Sequence, residues 1–168
     1  MKKFVGCVVI VMTAGGTKVV LQRRGVQDSF PGACQVTAHG KVEDFDGGPD
    51  GEFFNALLRE MSEALGFSLT EYIRFHAPLI EIFHDQIDDK EIVTYGSLIE
   101  EQYLKAIRLE WTSGGLDIVP ASLFFEDGGV IEITPDKKEE GYPPAIRAMF
   151  PDEIMAVKKA LKVFNKMM

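Results

Sequence analysis

Cysteine is nearly absent from this chain, with two residues among 168. Cys7 and Cys34 are too few to build a disulfide framework, so we expect a protein of the reducing cytoplasm. Long apolar runs are also lacking, and no segment is predicted to span a membrane. The apolar stretch after Lys2 and Lys3 is short and leads directly into a glycine-containing turn. We interpret it as a strand and not as a signal peptide.

Positive charge is scarce as well. The chain has 18 Lys and Arg against 26 Asp and Glu, which gives a net charge of −8 at pH 7. This balance argues against a nucleic-acid polymer or an anionic membrane as the main partner. A nucleotide stays compatible with it, because a bound divalent cation reverses the sign of the local charge. Without repeats, low-complexity tracts or a linker, residues 1–168 are predicted to form a single domain.

Strand patterns dominate the first part of the chain. Lys3 to Met12 is apolar and rich in β-branched residues, which is typical of a buried strand. A turn at residues 14–17 and the segment Lys18 to Arg23 predict a hairpin. Gln35 to Ala38 is predicted to be a further short strand.

Residues 52–65 carry the pattern of an amphipathic helix. Apolar residues recur at steps of three and four along one face: Phe53, Leu57, Met61 and either Ala64 or Leu65. Such a stripe predicts a helix packed on a core. Gly66 follows the last periodic residue and predicts the end of the helix.

Two carboxylates lie on the polar face of this helix. Glu60 and Glu63 are three residues apart and project from one turn, and Arg59 is predicted to pair with Glu63 four residues later. Neighbouring carboxylates repel each other unless a cation lies between them, and such hard oxygen ligands suit Mg²⁺ or Mn²⁺. We therefore expect both carboxylates to face a cleft. An ordinary solvated helix face is the alternative interpretation of the helix taken alone.

The remaining segments complete an α+β plan, a mixed sheet with a helix on each face. Strands are predicted at Thr70 to His84 (one or two), Glu91 to Ile99, Leu116 to Phe125 and Val130 to Thr134, and helical segments at Glu101 to Arg108 and Asp152 to Lys166.

The stretch from Gly40 to Phe67 resembles the Nudix box, which reads Gly, five residues, Glu, seven residues, then Arg-Glu-aliphatic-x-Glu-Glu-x-Gly-aliphatic. The matching residues are Gly40, Arg59-Glu60-Met61, Glu63 and Gly66-Phe67. Ala64 stands where the family has the second glutamate of the pair. The loop before Arg59 is longer than the pattern allows, and Glu52 falls one residue out of register with the early glutamate.

The resemblance implies a Nudix-like α/β/α sandwich and an activity. Nudix enzymes hydrolyse the pyrophosphate of a nucleoside diphosphate linked to another group, X, with the help of Mg²⁺ or Mn²⁺. It implies that Glu60 and Glu63 are catalytic and hold the metal, that Arg59 orients Glu63, and that Gly40 allows a close approach. Glu43, at a short fixed distance from Gly40, is the candidate to replace the carboxylate missing at position 64.

Two further points stay open at this stage. Arg23 and Arg24 end the second strand, and they are either contacts to a substrate phosphate or a solvated strand end. The function is either hydrolysis or, because Ala64 removes one carboxylate, the binding of a nucleotide or protein by a catalytically silent sensor domain. A small nucleotide or other diphosphate is the expected partner, and the resemblance leaves a homodimer open.

Overall fold

The computed structural model describes residues 1–25, 30–48, 51–77, 79–104, 115–133 and 148–167. Its strands are β1 (Lys2–Thr13), β2 (Gly16–Arg23), β3 (Cys34–Gln35), β4 (Ala38–Lys41), β5 (Leu79–Ile87), β6 (Lys90–Glu100) and β7 (Leu116–Pro120). Its α-helices are α1 (Glu52–Leu65), α2 (Phe67–His76) and α3 (Pro151–Met167). Short 3₁₀ turns lie at Asp44–Asp46, Glu101–Tyr103 and Ala121–Phe124.

The seven strands form one mixed sheet. Its main order is β3-β2-β1-β6-β5, with β4 also paired to β1 and β7 to β2. β1 runs parallel to β6 along most of its length, and the other pairings are antiparallel. The strand at the start of the chain therefore lies at the centre of the sheet.

Helices cover both faces of the sheet, which confirms the predicted α+β plan. Successive side chains of a strand point to opposite faces, and β1 supplies both cores by this alternation. Val9 packs with Leu57 and Met61 on the side of α1 and α2, whereas Ile10 packs with Leu161 on the side of α3. No helix in the described part of the chain is long and apolar enough to cross a bilayer.

The two predicted long helices are confirmed, with bounds that agree closely. α1 begins at Glu52 and ends at Leu65, and Gly66 follows it with a φ of 90° that side chains rarely adopt. Both Ala64 and Leu65 are buried, so the predicted stripe is wider than one row. The predicted helix from Asp152 is α3.

The prediction of strand structure from Thr70 to His84 is wrong in its first half, where the chain forms α2. Leu69 and Ile73 lie one helical turn apart and are both buried against α1, so a second helix buries more of this segment than a strand would. The buried Thr70 hydroxyl donates to the Gly66 carbonyl oxygen at 2.8 Å, so this polar group inside the core has a partner.

Two strand predictions in the second half of the chain need correction. The predicted strand Leu116–Phe125 ends at Pro120, and a 3₁₀ turn then places Ala121 and Phe124 in the core. The predicted return strand Val130–Thr134 forms only one bridge, between Glu132 and Met149; Thr134 lies outside the described residues.

The predicted strand Gln35–Ala38 is divided into β3 and β4, because the two pair with different neighbours, β2 and β1. The predicted helical segment Glu101–Arg108 is a 3₁₀ turn at Glu101–Tyr103, and residues 105–108 lie outside the described part.

Candidate active site

An ion pair between a buried carboxylate and a partly buried arginine joins the turn after β4 to helix α1. Arg59 donates from Nε to Asp46 Oδ1 at 3.1 Å and from Nη2 to Asp46 Oδ2 at 2.9 Å. Asp46 is only 4% exposed, and the hydrogen bond from Arg59 holds the pKa of its carboxyl below the usual range. The Asp46 carboxylate in turn raises the pKa of Arg59. This bidentate geometry fixes the guanidinium in one orientation.

The fixed guanidinium holds Glu60. Arg59 Nη1 donates to Glu60 Oε1 at 2.8 Å, and the Glu60 carboxylate lies directly over Gly40 of β4. A Cβ atom at position 40 would overlap that carboxylate, so this approach requires glycine. Burial, and then repulsion from Glu63, raise the pKa of Glu60, although Arg59 opposes the shift.

The predicted pairing of Arg59 with Glu63 is therefore wrong. The guanidinium instead binds Asp46, Glu60 and, through Nη2, the Lys41 carbonyl oxygen at 2.9 Å. A pair four residues apart on an exposed helix face contributes only a few tenths of a kcal/mol. A nearly buried carboxylate such as Asp46 lowers the stability of the fold unless a cation pairs with it, and Arg59 therefore pairs with Asp46 and not with Glu63.

The other predicted carboxylates are exposed. Glu63 lies about one turn along α1 from Glu60 and its charge raises the pKa of Glu60. Glu43 lies at the start of the turn that contains Asp46. Among the described residues, no group of three or more His, Cys, Asp or Glu is arranged to hold a metal ion. The structure thus brings Glu60 and Glu63 together without assembling Glu43 with them. Ala64 is 2% exposed and belongs to the core under α1.

The donor chemistry of Glu60 and Glu63 fits a divalent cation. A cation between them would relieve the repulsion that raises the pKa of Glu60. Mg²⁺ is commonly held by one or two carboxylates, with water and substrate phosphate oxygens completing its ligands. The chemistry of these two carboxylates thus suits such an ion, but the described residues add no third ligand to them, so the set of protein ligands is incomplete.

A cavity of about 480 Å³ lies on the other face of β4. His39 lines it, whereas the next residue, Gly40, faces Glu60 on the side of α1. The walls are largely apolar and include Phe83, Ile92 and Phe150. Five charged residues also line them: Arg24, Lys159, Asp85, Asp152 and Glu153. The Lys159 ammonium lies 4.3 Å from the centre of the Phe83 ring. Glu60 and Glu63 do not line this cavity. The cavity is therefore not the cleft that both carboxylates were predicted to face.

The two arginines at the end of β2 have different surroundings. Arg24 lines the cavity and donates from Nη1 to Gln35 Oε1 at 3.2 Å. Arg23 is directed to β7, where its Nε lies 3.2 Å from Asp117 Oδ1. Only Arg24 therefore lies where it can reach a molecule in the cavity.

Sequence analysis missed the role of Asp46. It follows Gly40 with five residues between them, the spacing at which the Nudix pattern has its early acid. The extra residues of the loop thus lie between Asp46 and Arg59. Counting forward from Gly40 would have found Asp46, whereas counting back from the helix led to Glu52, which instead pairs with Lys3.

Solved structures with the same fold include several Nudix proteins. A mutT/nudix family protein from Listeria innocua matches 99% of this chain and 95% of its own, with a TM-score of 0.64 and 12% identity. The Nudix domain of Shewanella oneidensis NrtR, complexed with ADP ribose, matches 96% and 87%, with a TM-score of 0.60 and 13% identity. A C. elegans Ap4A hydrolase in a binary complex matches 100% of both chains, with a TM-score of 0.57 and 12% identity.

NrtR was also solved with a 27mer DNA; this chain spans 62% of that longer chain, with a TM-score of 0.62 and 13% identity. No family model and no curated protein matches the sequence. Identities at this level establish the fold and nothing finer. The agreement over nearly the whole chain, with the carboxylate-bearing helix in its expected place, shows that the protein has the Nudix fold.

Proposed function

We propose that the protein is a Nudix-type hydrolase that cleaves the pyrophosphate bond of a nucleoside diphosphate linked to X, with Mg²⁺ or Mn²⁺ as cofactor. The observation that carries the proposal is the clamp of Asp46 and Arg59, which holds the Glu60 carboxylate over Gly40 and beside Glu63. A chain that used this helix only as a solvated surface would have no need for a nearly buried acid that orients an arginine toward a second acid.

Each residue of the clamp has a separate role in this proposal. Glu60 and Glu63 hold the cation. Arg59 positions Glu60, whereas the sequence-based prediction was that it would position Glu63. Asp46 positions Arg59 from behind. When bound, the cation supplies charge neutralisation on the diphosphate and activation of the attacking water. Glu43 stays a prediction as an additional oxygen ligand from the exposed turn.

The cavity beside His39 would receive the organic group at one end of the diphosphate. Its apolar walls suit a nucleoside, and Arg24 and Lys159 are the two basic groups of a lining that also holds Asp85, Asp152 and Glu153. ADP ribose in the NrtR Nudix domain supports a ligand of this class. The net charge of −8 supports a small nucleotide over DNA as the partner, even though NrtR binds DNA.

A second function, a silent nucleotide-binding domain, is favoured by two observations. Ala64 belongs to the core, and the described residues contain no group of three acids arranged for a metal. Such a domain would use the same cavity and the same helix without turnover.

The two functions are separated by one experiment on purified protein. We expect a panel of nucleoside diphosphates linked to X to release phosphate-containing products with Mg²⁺ or Mn²⁺, and Glu60→Gln and Glu63→Gln to abolish turnover without loss of the fold. Binding of the same compounds by calorimetry without any turnover would favour the silent domain. Full turnover in both variants would place the chemistry elsewhere.

A further inference from the structure

One large aromatic side chain stands out in the turn that carries Asp46. Phe45 is 72% exposed, although burial of a phenylalanine typically contributes about 1.5–3 kcal/mol to stability. Its neighbours Asp44 and Asp46 belong to the same 3₁₀ turn, and only Asp46 is buried. The apolar ring of Phe45 is thus exposed to solvent, whereas the charged side chain of the next residue, Asp46, is buried.

The backbone under Phe45 is held firmly. The Asp46 amide donates to the Glu43 carbonyl oxygen at 3.0 Å, and the Glu43 amide donates to Asp46 Oδ2 at 2.7 Å. Asn55 of α1 donates from Nδ2 to the Asp46 carbonyl oxygen at 2.8 Å. An exposed ring on a braced turn is available to a ligand at little cost in conformational entropy.

The ring also lies next to the candidate active site. The Arg59 guanidinium carbon is 5.2 Å from the centre of the Phe45 ring, and the same guanidinium binds Glu60. One side chain therefore separates Phe45 from the carboxylate that would hold the cation. The exposed acids Glu43 and Asp44 directly precede Phe45 in the chain and make this turn unfavourable for a phosphate, so the chemistry fits a neutral planar group.

We propose that Phe45 is a stacking platform for a planar ring, such as a nucleobase, in the group X of a diphosphate bound at Glu60 and Glu63. This inference rests on the proposed function and deepens it: the cavity takes one end of the ligand and Phe45 takes the other. The substrate class is then a diphosphate with a planar group at each end. Stacking of this kind tolerates any base, because every base presents a flat face.

The test compares two ligands that cannot be hydrolysed. One is α,β-methylene-ADP, with one adenosine, and the other is the symmetric methylenediphosphonate that carries an adenosine at each end. Both are titrated by calorimetry in Mg²⁺ against the wild type and Phe45→Ala. The matched control is Phe75→Ala, because Phe75 is 66% exposed and also lies 5.2 Å from an arginine, Arg74, but on α2.

We expect the wild type to bind the two-adenosine ligand more tightly than α,β-methylene-ADP. Phe45→Ala should lower the affinity for the two-adenosine ligand about tenfold, within the range for loss of one base–aromatic stack. It should leave the affinity for α,β-methylene-ADP unchanged. Phe45→Tyr, which keeps a ring, should restore binding, and Phe75→Ala should behave as the wild type.

Equal affinities of wild type and Phe45→Ala for the two-adenosine ligand would overturn the inference. An equal loss for both ligands would also overturn it, because Phe45 would then act only by supporting Arg59. A wild type that binds neither ligand would refute the inference together with the proposed function. If both ligands bind as expected but natural diphosphates are not hydrolysed, the hydrolase proposal fails and the stacking platform stands.

Discussion

Asp46 is the residue that most changes the interpretation of the sequence. Its carboxylate is almost fully buried and is satisfied by Arg59 and by the Glu43 amide. Removal of its charge would leave a partly buried guanidinium without its bidentate partner, and Glu60 would lose its fixed donor. Stability and activity should therefore both depend on this acid, which acts through Arg59 on Glu60.

We predict that Asp46→Asn lowers the free energy of unfolding by about 2 kcal/mol, the scale of a lost hydrogen bond to a charged group. Urea unfolding measures this change, and any divalent-dependent turnover should fall with it. Asp44→Asn, in the same turn but exposed, is the control and should unfold as the wild type does. Equal stability of the two variants would contradict the clamp.

The same pair predicts a dependence on pH. The folded pKa of Asp46 is lowered from its ordinary value of 3.8, so the pair stabilises the fold above that value and the contribution is lost as the pH falls through the folded pKa. The difference in unfolding free energy between wild type and Asp46→Asn should be constant near neutrality and shrink below about pH 4. A difference that persists at pH 2 would assign the effect to packing instead.

Gly40 offers a test of the carboxylate position itself. Gly40→Ala would push the Glu60 carboxylate out of its place, because the added Cβ would overlap it. We expect kcat to fall about 100-fold, the scale of an ångström-sized misplacement of a catalytic group. Gly15→Ala is the control, since its Cβ would meet only the Thr13 hydroxyl, at 3.9 Å. Unchanged steady-state kinetics in Gly40→Ala would mean that Glu60 need not lie over β4.

At the scale of elements, the sequence predicted those strands and helices that have a regular apolar pattern. β1, β2, α1 and α3 each have a regular apolar pattern and appear where they were expected. α2 was missed because its sequence, Phe67 to His76, mixes aromatic and β-branched residues that favour strands when they are considered alone. Packing against α1 favours a helix over a strand in this segment, and such a tertiary contact is not visible in a local sequence pattern.

The candidate site was predictable to the extent that it lies on one element. Glu60 and Glu63 could be proposed together because both belong to α1, where helical spacing places them on one turn. The partner of Arg59 was predicted wrongly because Asp46 comes from a turn outside the helix, and tertiary contact overrode the local pairing. The aromatic platform at Phe45 had no sequence signal, since exposure is a property of the folded chain.

Helix α1 also decides what can be placed at position 64. From the sequence alone, Ala64→Glu adds a third carboxylate beside Glu60, but Ala64 is 2% exposed in the core under the helix. We predict that Ala64→Glu destabilises the fold by about 3 kcal/mol or more, because a buried unpaired carboxylate is costly. Thermal and urea unfolding measure the effect, with the half-exposed Ser62→Glu on the same helix as the control. A stable Ala64→Glu protein with a stronger response to Mg²⁺ would show that the new side chain reaches the surface.

At the scale of the whole molecule, the cavity and the carboxylates of α1 lie on opposite faces of the sheet. The α3 face contains the cavity, the α1 face contains the carboxylates, and β4 at the edge of the sheet contributes His39 to one and Gly40 to the other. A diphosphate that passes around this edge would contact both. The arrangement has a cost in stability for the ionised form of Glu60, because burial and Glu63 raise the pKa of its carboxyl.

That cost gives the last prediction, which concerns Glu60→Gln. The folded pKa of Glu60 is raised above its ordinary value of 4.5, so its ionised form lowers stability as the pH rises through the folded pKa. Glutamine keeps the oxygen that accepts from Arg59 but has no charge. Without divalent ions at pH 7, Glu60→Gln should therefore melt above the wild type, by about 3 °C for each 1 kcal/mol gained.

Mg²⁺ should raise the Tm of the wild type through binding linkage and leave the Tm of Glu60→Gln unchanged, so that the difference between the two Tm values narrows or reverses. Glu101→Gln, an exposed site far along the chain, should follow the wild type in both conditions. The advantage of Glu60→Gln should disappear below about pH 4.5, where the wild-type carboxyl is itself neutral. A variant that melts below the wild type without metal would show that the ion pair with Arg59 outweighs burial at Glu60, and the carboxylate would then be a structural group and not one held ready for a cation.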